Sequence, residues 1–185
     1  MGKIEVSYGN KAPDVINVVI EIQKGSRNKY ELDKSTGRIF LDRANGTFLG
    51  YPTDYGYVPD TLCDDGDPLD ALLVIDESVL PGVVVPARPI GVLMFKDDGE
   101  NDEKLICVPA DDISKDHIKS LADLGEAFQK NIEHFYSHYK DWKNNWQGVS
   151  AELSGWGDAE KAKQVIRDSI ALASQKQKNE NSFSS

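Results

Sequence analysis

Alternating apolar and polar residues predict a series of short β-strands in the first two thirds of the chain. Residues two apart in a strand share a face, and Val18, Ile20 and Ile22 form one such apolar row. The predicted strands cover residues 17–22, 29–33, 38–43, 69–75, 83–95 and 104–108. Pro86 and Pro89 are expected to break the long strand, because proline cannot donate a ladder hydrogen bond.

The pattern changes to a helical period after residue 123. Two helices are predicted, one starting at a capping box of Asp123 and Glu126 and one running from Asp158 to about Ala173. Their inward-facing residues are Phe128, Ile132, Phe135 and Tyr139 in the first helix and Ala162, Val165, Ile166 and Ile170 in the second. Residues 174–185 are rich in Gln, Lys, Asn and Ser, and we expect them to form a disordered tail.

The order of elements, strands first and helices later, indicates the α+β class, mainly β. It favours a small antiparallel barrel with helices packed on its side. A chain of 185 residues fits one domain, predicted as residues 1–173, that buries roughly 70% of its unfolded surface.

The composition narrows the range of partners and compartments. An excess of 31 acidic over 21 basic residues gives a formal charge of −10, which repels nucleic acid and anionic membranes. No apolar run approaches the ~18 residues of a membrane span, and the first residues do not resemble a signal peptide. Cys63 and Cys107 lack metal-ligand spacing and indicate a reducing compartment, so we expect a cytoplasmic protein.

A cluster of carboxylates directly precedes an apolar run and is the first candidate for chemistry. Asp65 and Asp67 share a face if the backbone is extended, and Asp70 opens the next strand. Oxygen donors that converge in this way suit a hard cation such as Mg²⁺. An exposed turn is the alternative, because Asp, Gly and Pro are its usual residues. An EF-hand calcium loop fits poorly, since its required Gly is replaced by Asp70.

A second acidic segment spans residues 97–102 and has the composition of a hairpin turn. If Asp97 and Asp102 close that hairpin, their like charges oppose each other at roughly 5 Å, and a cation between them would remove the conflict. An ordinary surface turn is again the alternative.

Charged residues on otherwise apolar strands form a third set. Glu21 is a lone carboxylate among apolar neighbours, and Lys29 and Glu31 share a face, where they could form a simple surface ion pair. Arg43 falls on an apolar face, from which it could also extend into solvent. In a functional interpretation, Lys29, Arg43 and Lys104 bind phosphate oxygens opposite the carboxylates.

Aromatic and histidine residues complete the candidates. Tyr55 lies in a loop punctuated by Gly and Pro and either packs over a barrel end or donates a hydrogen bond. Tyr139 belongs to the apolar helix stripe, so only its hydroxyl need reach a ligand, and Lys140 follows it. His134 and His138 lie one helical turn apart without the Glu of a metalloprotease, so a subunit contact or solvent is favoured over zinc.

Taken together, these segments resemble the soluble Mg²⁺-dependent inorganic pyrophosphatases of the bacterial type (family I) over residues 4–173. The Asp-Gly-Asp-Pro-x-Asp segment is a family signature. The matching segments are Val19-Ile20-Glu21-Ile22, Lys29-Tyr30-Glu31, Asp42-Arg43, Tyr51-Pro52 to Tyr57, Asp65-Gly66-Asp67-Pro68-Leu69-Asp70, Asp97 to Lys104 and His138-Tyr139-Lys140. The resemblance implies a five-stranded, OB-like β-barrel with flanking α-helices.

The resemblance also implies roles for individual residues. The metal ligands would be Asp65, Asp70, Asp97 and Asp102, with Glu21 and Glu31 in the outer shell. Substrate phosphate would contact Lys29, Arg43, Tyr55, Lys104, Tyr139 and Lys140. Asp67 would be the general base for a hydroxide bridged between several bound Mg²⁺ ions, which hydrolyses pyrophosphate to two orthophosphates. The family further implies a homo-oligomer, expected to be a hexamer, with His134 and His138 as contact candidates.

Two other classes of protein explain part of the pattern. A calcium-binding β-module would account for the acidic loops but not for Lys29, Arg43 and Lys140. A barrel that binds single-stranded nucleic acid would use Tyr51, Tyr55 and Tyr57, but the charge of −10 opposes it. We therefore expect an inorganic diphosphatase that binds neither nucleic acid nor membranes.

Overall fold

The computed structural model describes residues 6–33, 35–97, 99–146 and 152–183. Nine strands and two α-helices are present in these ranges. The strands are β1 (Ile16–Ile22), β2 (Asn28–Asp33), β3 (Arg38–Ala44), β4 (Asp54–Tyr57), β5 (Asp70–Leu73), β6 (Val84–Asp97), β7 (Glu100–Asn101), β8 (Lys104–Pro109) and β9 (Glu152–Gly157). The helices are α1 (Glu126–His138) and α2 (Ala159–Phe183), and short 3₁₀ turns span Ile113–Lys115, Leu121–Leu124 and Asp141–Asn144.

Five of the strands close into a ring, which confirms the predicted barrel. The order is β1-β4-β5-β8-β6, and β6 returns to pair with β1 through Ile16↔Ala87 and Val19↔Val84. The pairings are antiparallel except that β5 and β8 run parallel, so the expectation of a wholly antiparallel barrel was wrong in that one pair. β9 lies against β6, and β2 and β3 form a separate hairpin.

The core consists of two clusters on the two faces of the barrel strands. One joins the strands to α1 through residues such as Phe95, Phe135 and Tyr136, and the other joins them to α2 through Ala162 and Ile166. Successive residues of β8 alternate between the two clusters, so this strand is buried on both sides. A strand that is apolar throughout is the expected result of such double burial.

Two expectations about local structure were wrong. β6 is continuous through both prolines, and an irregularity between Pro89 and Gly91 absorbs the disturbance. Asp123 does not cap α1, because Gly125 is the residue at the N-terminal cap of that helix. The Asp123 carboxylate instead accepts hydrogen bonds from the backbone N–H groups of Lys119 (2.9 Å) and Ser120 (2.8 Å).

The C-terminal helix is longer than predicted. It was expected to end near Ala173 before a disordered tail, but α2 continues to Phe183. Gln, Lys and Glu are good helix formers, and no Gly or Pro interrupts the segment. Its side chains are mostly exposed, which explains why no hydrophobic pattern marked it. No helix in the described ranges has the length and apolar character of a membrane span.

Candidate active site

One cavity of about 370 Å³ gathers every site residue that the sequence predicted. It lies where the acidic loop that carries Asp65 and Asp67, the β2–β3 hairpin and the end of α1 meet. Its carboxylates are Glu21, Glu31, Asp65, Asp67, Asp70, Asp97 and Asp102, and its cations are Lys29, Arg43, Lys104 and Lys140. Seven acids therefore face four bases, so the wall carries excess negative charge.

The acidic loop holds two carboxylates side by side. Asp65 accepts a hydrogen bond at 3.0 Å from the backbone N–H of Asp67, and Gly66 between them adopts a φ of 87°. Glycine is favoured at that angle because a side chain would strain it. Partial burial raises the pKa of Asp65, and the hydrogen bond from the Asp67 backbone N–H lowers it in part. The negative charges of Asp102 and Asp67 raise it further.

Lys104 lies between two carboxylates at the floor of the cavity. The parallel pairing of β5 and β8 sets Asp70 opposite Lys104, whose ammonium contacts both Asp70 and Asp102. Burial alone lowers the pKa of Lys104, but the two carboxylates outweigh it and hold the pKa well above its usual value. Burial raises the pKa of Asp102, and Asp70 raises it further although Lys104 opposes both effects.

The second acidic segment is arranged differently from the prediction. In the β6–β7 hairpin Asp97 lies opposite Glu100. The backbone N–H of Asp102 donates a hydrogen bond to the carbonyl oxygen of Phe95 at 2.9 Å. Asp97 and Asp102 therefore do not close the hairpin as a facing pair. Their side chains still reach the cavity, where Asp97 contacts the ammonium of Lys140 at the end of α1.

Glu21 is buried on β1 beneath the β2–β3 hairpin. Its carboxylate accepts a hydrogen bond at 2.7 Å from the backbone N–H of Leu32. Burial raises its pKa to about 7, and Asp70 and Glu31 add to the increase while the Leu32 hydrogen bond reduces it. Glu31, on the hairpin, forms an ion pair with Lys29, as the shared face predicted.

The hairpin also presents the cations. Lys29 in β2 lies opposite Arg43 in β3. A carboxylate oxygen of Asp42 lies 3.7 Å from Nζ of Lys29 and 3.1 Å from a guanidinium nitrogen of Arg43. The expectation that Arg43 shares the apolar face of Leu41 was wrong. An irregularity in the pairing sets Arg43 opposite Lys29 but Leu41 opposite Tyr30, so Arg43 and Leu41 lie on opposite faces of the hairpin. In the described ranges the Arg43 Nε is buried without a hydrogen-bond partner.

Tyrosine hydroxyls line the remaining wall. Burial raises the pKa of Tyr55 and of Tyr139 well above the usual value, so both hydroxyls stay protonated and can donate hydrogen bonds. The Tyr139 ring stacks on Phe135 at 5.1 Å, which confirms its place on the apolar stripe of α1.

Sequence reasoning missed several residues of the site. Tyr51, Tyr57 and Tyr136 also line the cavity. Lys143 does not line the cavity, but burial and the nearby charges of Arg43, Lys140 and Lys29 lower its pKa, so it lies near these three cations. A search for cations just after the end of α1 could have found Lys143.

His134 and His138 lie outside the cavity on the exposed side of α1. Their ring centroids are 4.5 Å apart, and Nδ1 of His138 lies 2.8 Å from the carbonyl oxygen of His134. Among the described residues, no three His, Cys, Asp or Glu side chains stand in an arrangement ready to hold a metal ion.

The chemistry of the cavity nevertheless suits divalent metals. Its donors are carboxylate oxygens, which are the ligands of Mg²⁺ and related hard cations. The raised pKa values of Glu21, Asp65 and Asp102 show that their charged forms are incompletely compensated. A cation among these oxygens would remove that imbalance, so the residues present fit a metal.

Comparisons with known proteins decide the family. The sequence model of the family described as inorganic pyrophosphatase matches residues 18–174. The chain belongs to the inorganic pyrophosphatase family. It is 45% identical over 173 residues to the inorganic pyrophosphatase of Xylella fastidiosa, covering 92% of this chain and 96% of that protein. It is 47% identical over 155 residues to that of Corynebacterium glutamicum, covering 84% and 96%.

Solved inorganic pyrophosphatases share the fold. The Thermus thermophilus structure has a TM-score of 0.86 at 40% identity, covering 92% of this chain and 97% of that one. The Neisseria gonorrhoeae structure has a TM-score of 0.85 at 41% identity, covering 92% and 98%. The predicted resemblance to family I pyrophosphatases of the bacterial type is confirmed, and the enzyme is an inorganic diphosphatase.

Proposed function

We propose that the enzyme hydrolyses pyrophosphate to two orthophosphates with a hydroxide bridged between Mg²⁺ ions, and that Asp67 is the general base. The observation that carries this proposal is the cavity itself, in which seven carboxylates and four cations face one another. A cavity lined by carboxylates alone would suit a cation-binding site, and one lined by cationic side chains alone would suit an anion-binding site. Their combination suits a reaction in which metal ions and a phosphate anion bind together.

The carboxylates divide into two groups of proposed metal ligands. Asp65, Asp70 and Asp102 would hold the first Mg²⁺, with Asp70 shared by a second. Asp97 and Asp102 would hold a metal that arrives with substrate, and Glu21 and Glu31 would serve in the outer shell. Such metals lower the pKa of coordinated water and neutralise charge on phosphate.

The cations and hydroxyls would hold the anion. Lys29, Arg43, Tyr55, Tyr139 and Lys140 would contact phosphate oxygens, with Lys104 in support. Arg43 offers two parallel donors, and the protonated tyrosines add neutral ones. These groups would stabilise the charge that grows on the leaving phosphate.

Asp67 is suited to a proton-accepting role. In the described ranges its carboxylate makes no hydrogen bond or ion pair, whereas Asp70, Asp97 and Asp102 each contact a lysine. An unpaired carboxylate at the cavity wall is free to accept a proton from a nucleophilic water.

We further propose a cytoplasmic homohexamer in which His134 and His138 contact a neighbouring subunit, and a catalytic domain formed by residues 1–173. The exposed histidine pair supports the contact.

Phosphate release from pyrophosphate tests the central proposal. Release with Mg²⁺ that stops on chelation is expected, and equal release in excess chelator would contradict it. Absence of release together with tight Ca²⁺ binding would instead indicate a calcium module.

A further inference from the structure

The loop that carries Asp65 and Asp67 is closed at its base by one buried hydroxyl. Thr61 Oγ1 donates a hydrogen bond to the carbonyl of Val58 at 2.6 Å and accepts one from the backbone N–H of Leu69 at 2.9 Å. The backbone N–H of Val58 also donates to the carbonyl of Leu69 at 2.9 Å. The two ends of the loop are thereby tied together through a single side chain.

The same loop is fastened to the C-terminal helix. The residue after Thr61, Leu62, donates its N–H at 3.0 Å to the carbonyl of Ser169 in α2. Farther out, the N–H of Cys63 bonds to the carbonyl of Asp67 at 2.8 Å, and the residues from Asp64 to Asp67 are exposed. Burial therefore decreases from the base of the loop to its exposed tip.

We propose that Thr61 is a positioning residue that fixes Asp65 and Asp67 relative to Asp70, and so sets the affinity of the cavity for divalent metal. This inference rests on the proposed function of those aspartates. Leu69 immediately precedes Asp70, so the hydroxyl joins the loop to the start of the strand that carries the shared ligand. Thr61 does not line the cavity, and its hydroxyl already donates one hydrogen bond and accepts another, so it would act on metal only through the loop.

The burial of Val58 and Leu69 explains why a substitution of Thr61 would change the proposed metal site. Val58 and Leu69 have no exposed surface, so backbone groups released by loss of the hydroxyl cannot turn to water. The loop would then rearrange to pair them, and Asp65 and Asp67 would move with it. Groups that orient metal ligands from outside typically change metal affinity by 10–100-fold.

Thr61→Val removes both hydrogen bonds with little change of shape. Calorimetric titration of the full-length, chelator-treated protein with Mg²⁺ should give on the order of tenfold weaker binding than wild type. The Mg²⁺ concentration for half-maximal hydrolysis should rise in parallel, while KM for pyrophosphate at saturating Mg²⁺ changes little. Thr61→Ser keeps the hydroxyl and should bind Mg²⁺ like wild type.

Thr53→Val is a matched control. Thr53 is also buried, but in the described ranges its hydroxyl has no hydrogen-bond partner, so the same substitution should leave Mg²⁺ affinity unchanged. Wild-type affinity in Thr61→Val, or equal weakening in Thr53→Val, would overturn the inference. If Thr61→Val does not fold, the Mg²⁺ affinity of Thr61→Ser provides the test. A tenfold loss of affinity in Thr61→Ser, which keeps the hydroxyl, would refute the inference. Failure of the wild type to bind Mg²⁺ would instead defeat the proposed function.

Discussion

The ammonium of Lys104 lies between Asp70 and Asp102, with 3% of the residue exposed. Lys104→Met should lower the free energy of unfolding of the metal-free protein by about 3 kcal/mol, because two partly buried carboxylates lose their counter-ion. Mg²⁺ should then stabilise the variant more than the wild type, since it would supply the missing positive charge. Urea unfolding with chelator and with Mg²⁺ measures both effects.

Lys115→Met is the control for that experiment. Lys115 pairs with Asp76, whose side chain is 77% exposed and lies outside the cavity. Its loss should cost about 1 kcal/mol or less and should not respond to Mg²⁺. Equal Mg²⁺ stabilisation of wild type and Lys104→Met would show that Asp70 and Asp102 do not attract a metal.

Glu21 predicts a pH dependence of stability in the absence of metal. Its pKa is raised in the folded protein from 4.5 to about 7, so the folded state holds a proton that the unfolded chain releases between those values. Stability should fall as pH rises through this window. Glu21→Gln resembles the protonated form and should be more stable than wild type by about 3 kcal/mol at pH 8, but similar at pH 4.

Unfolding of the chelator-treated proteins across this pH range measures the difference. Glu31→Gln serves as a control, because the Glu31 side chain is 53% exposed and pairs with Lys29. A difference between wild type and Glu21→Gln that stays constant from pH 4 to 8 would contradict the assignment.

Asp67 predicts a separation of turnover from metal binding. Asp67→Asn should reduce kcat on the order of 100-fold or more, because the amide cannot accept the proton from water. Mg²⁺ affinity should change far less, since Asp67 is not a proposed ligand. Steady-state kinetics with calorimetric Mg²⁺ titration make the comparison, and equal losses in both quantities would rule out a base role.

At the scale of the elements, β4 depends on close contact between backbones. A Cβ on Gly56 would lie 1.9 Å from the carbonyl oxygen of Val19 in β1, whereas one on Gly91 would meet the Leu121 side chain at 2.5 Å. Gly56→Ala should therefore cost about 3 kcal/mol or more, and Gly91→Ala less, because a side chain can move aside and a paired strand cannot. Chemical unfolding of both variants provides the test, and a smaller cost at Gly56 would be the contrary result.

The elements also show what the sequence could and could not predict. β1 and β8 carry clear apolar patterns and were found with nearly correct bounds, whereas β4 was interpreted as a loop. Its residues are all buried, but Gly56 and the surrounding prolines have the local signature of a turn. The long-range pairing with β1 and β5 overrides that signature, and no local pattern contains it.

The resemblance to the pyrophosphatase family supplied the roles of the proposed site residues. All of these residues line one cavity, and their contacts with metal and substrate stay predictions. Among the ion pairs of the cavity, that of Lys29 with Glu31 was considered from their shared face. Those of Lys104 with Asp70 and of Lys140 with Asp97 were not predicted, because the first depends on parallel strand pairing and the second on α1 ending beside β6. Such contacts depend on tertiary structure rather than on spacing along the chain.

At the scale of the whole molecule, the protein and its cavity carry the same sign of charge. The net charge is −10, and seven carboxylates line the cavity against the four cations Lys29, Arg43, Lys104 and Lys140. Metal ions among these carboxylates would reverse the local excess, so an anionic substrate should bind more readily to the metal-loaded protein than to the metal-free protein.

Assembly is expected to depend on the exposed histidine pair at this scale. The rings of His134 and His138 lie 4.5 Å apart on an exposed face, where they would pack against a neighbouring subunit in the proposed contact. His134→Glu with His138→Glu would place two carboxylates in that contact, so sedimentation should show a smaller particle than wild type. The same mass for both proteins would argue against this contact.

The central claim is that the carboxylates of the cavity gather divalent metal. Crystals soaked in Mn²⁺, which binds like Mg²⁺ but scatters anomalously, locate such ions directly. We expect anomalous peaks about 2.2 Å from oxygens of Asp65, Asp70 and Asp102, with Lys104 displaced from between the latter two. Crystals in which these oxygens hold no Mn²⁺ and Lys104 keeps its place would contradict the account.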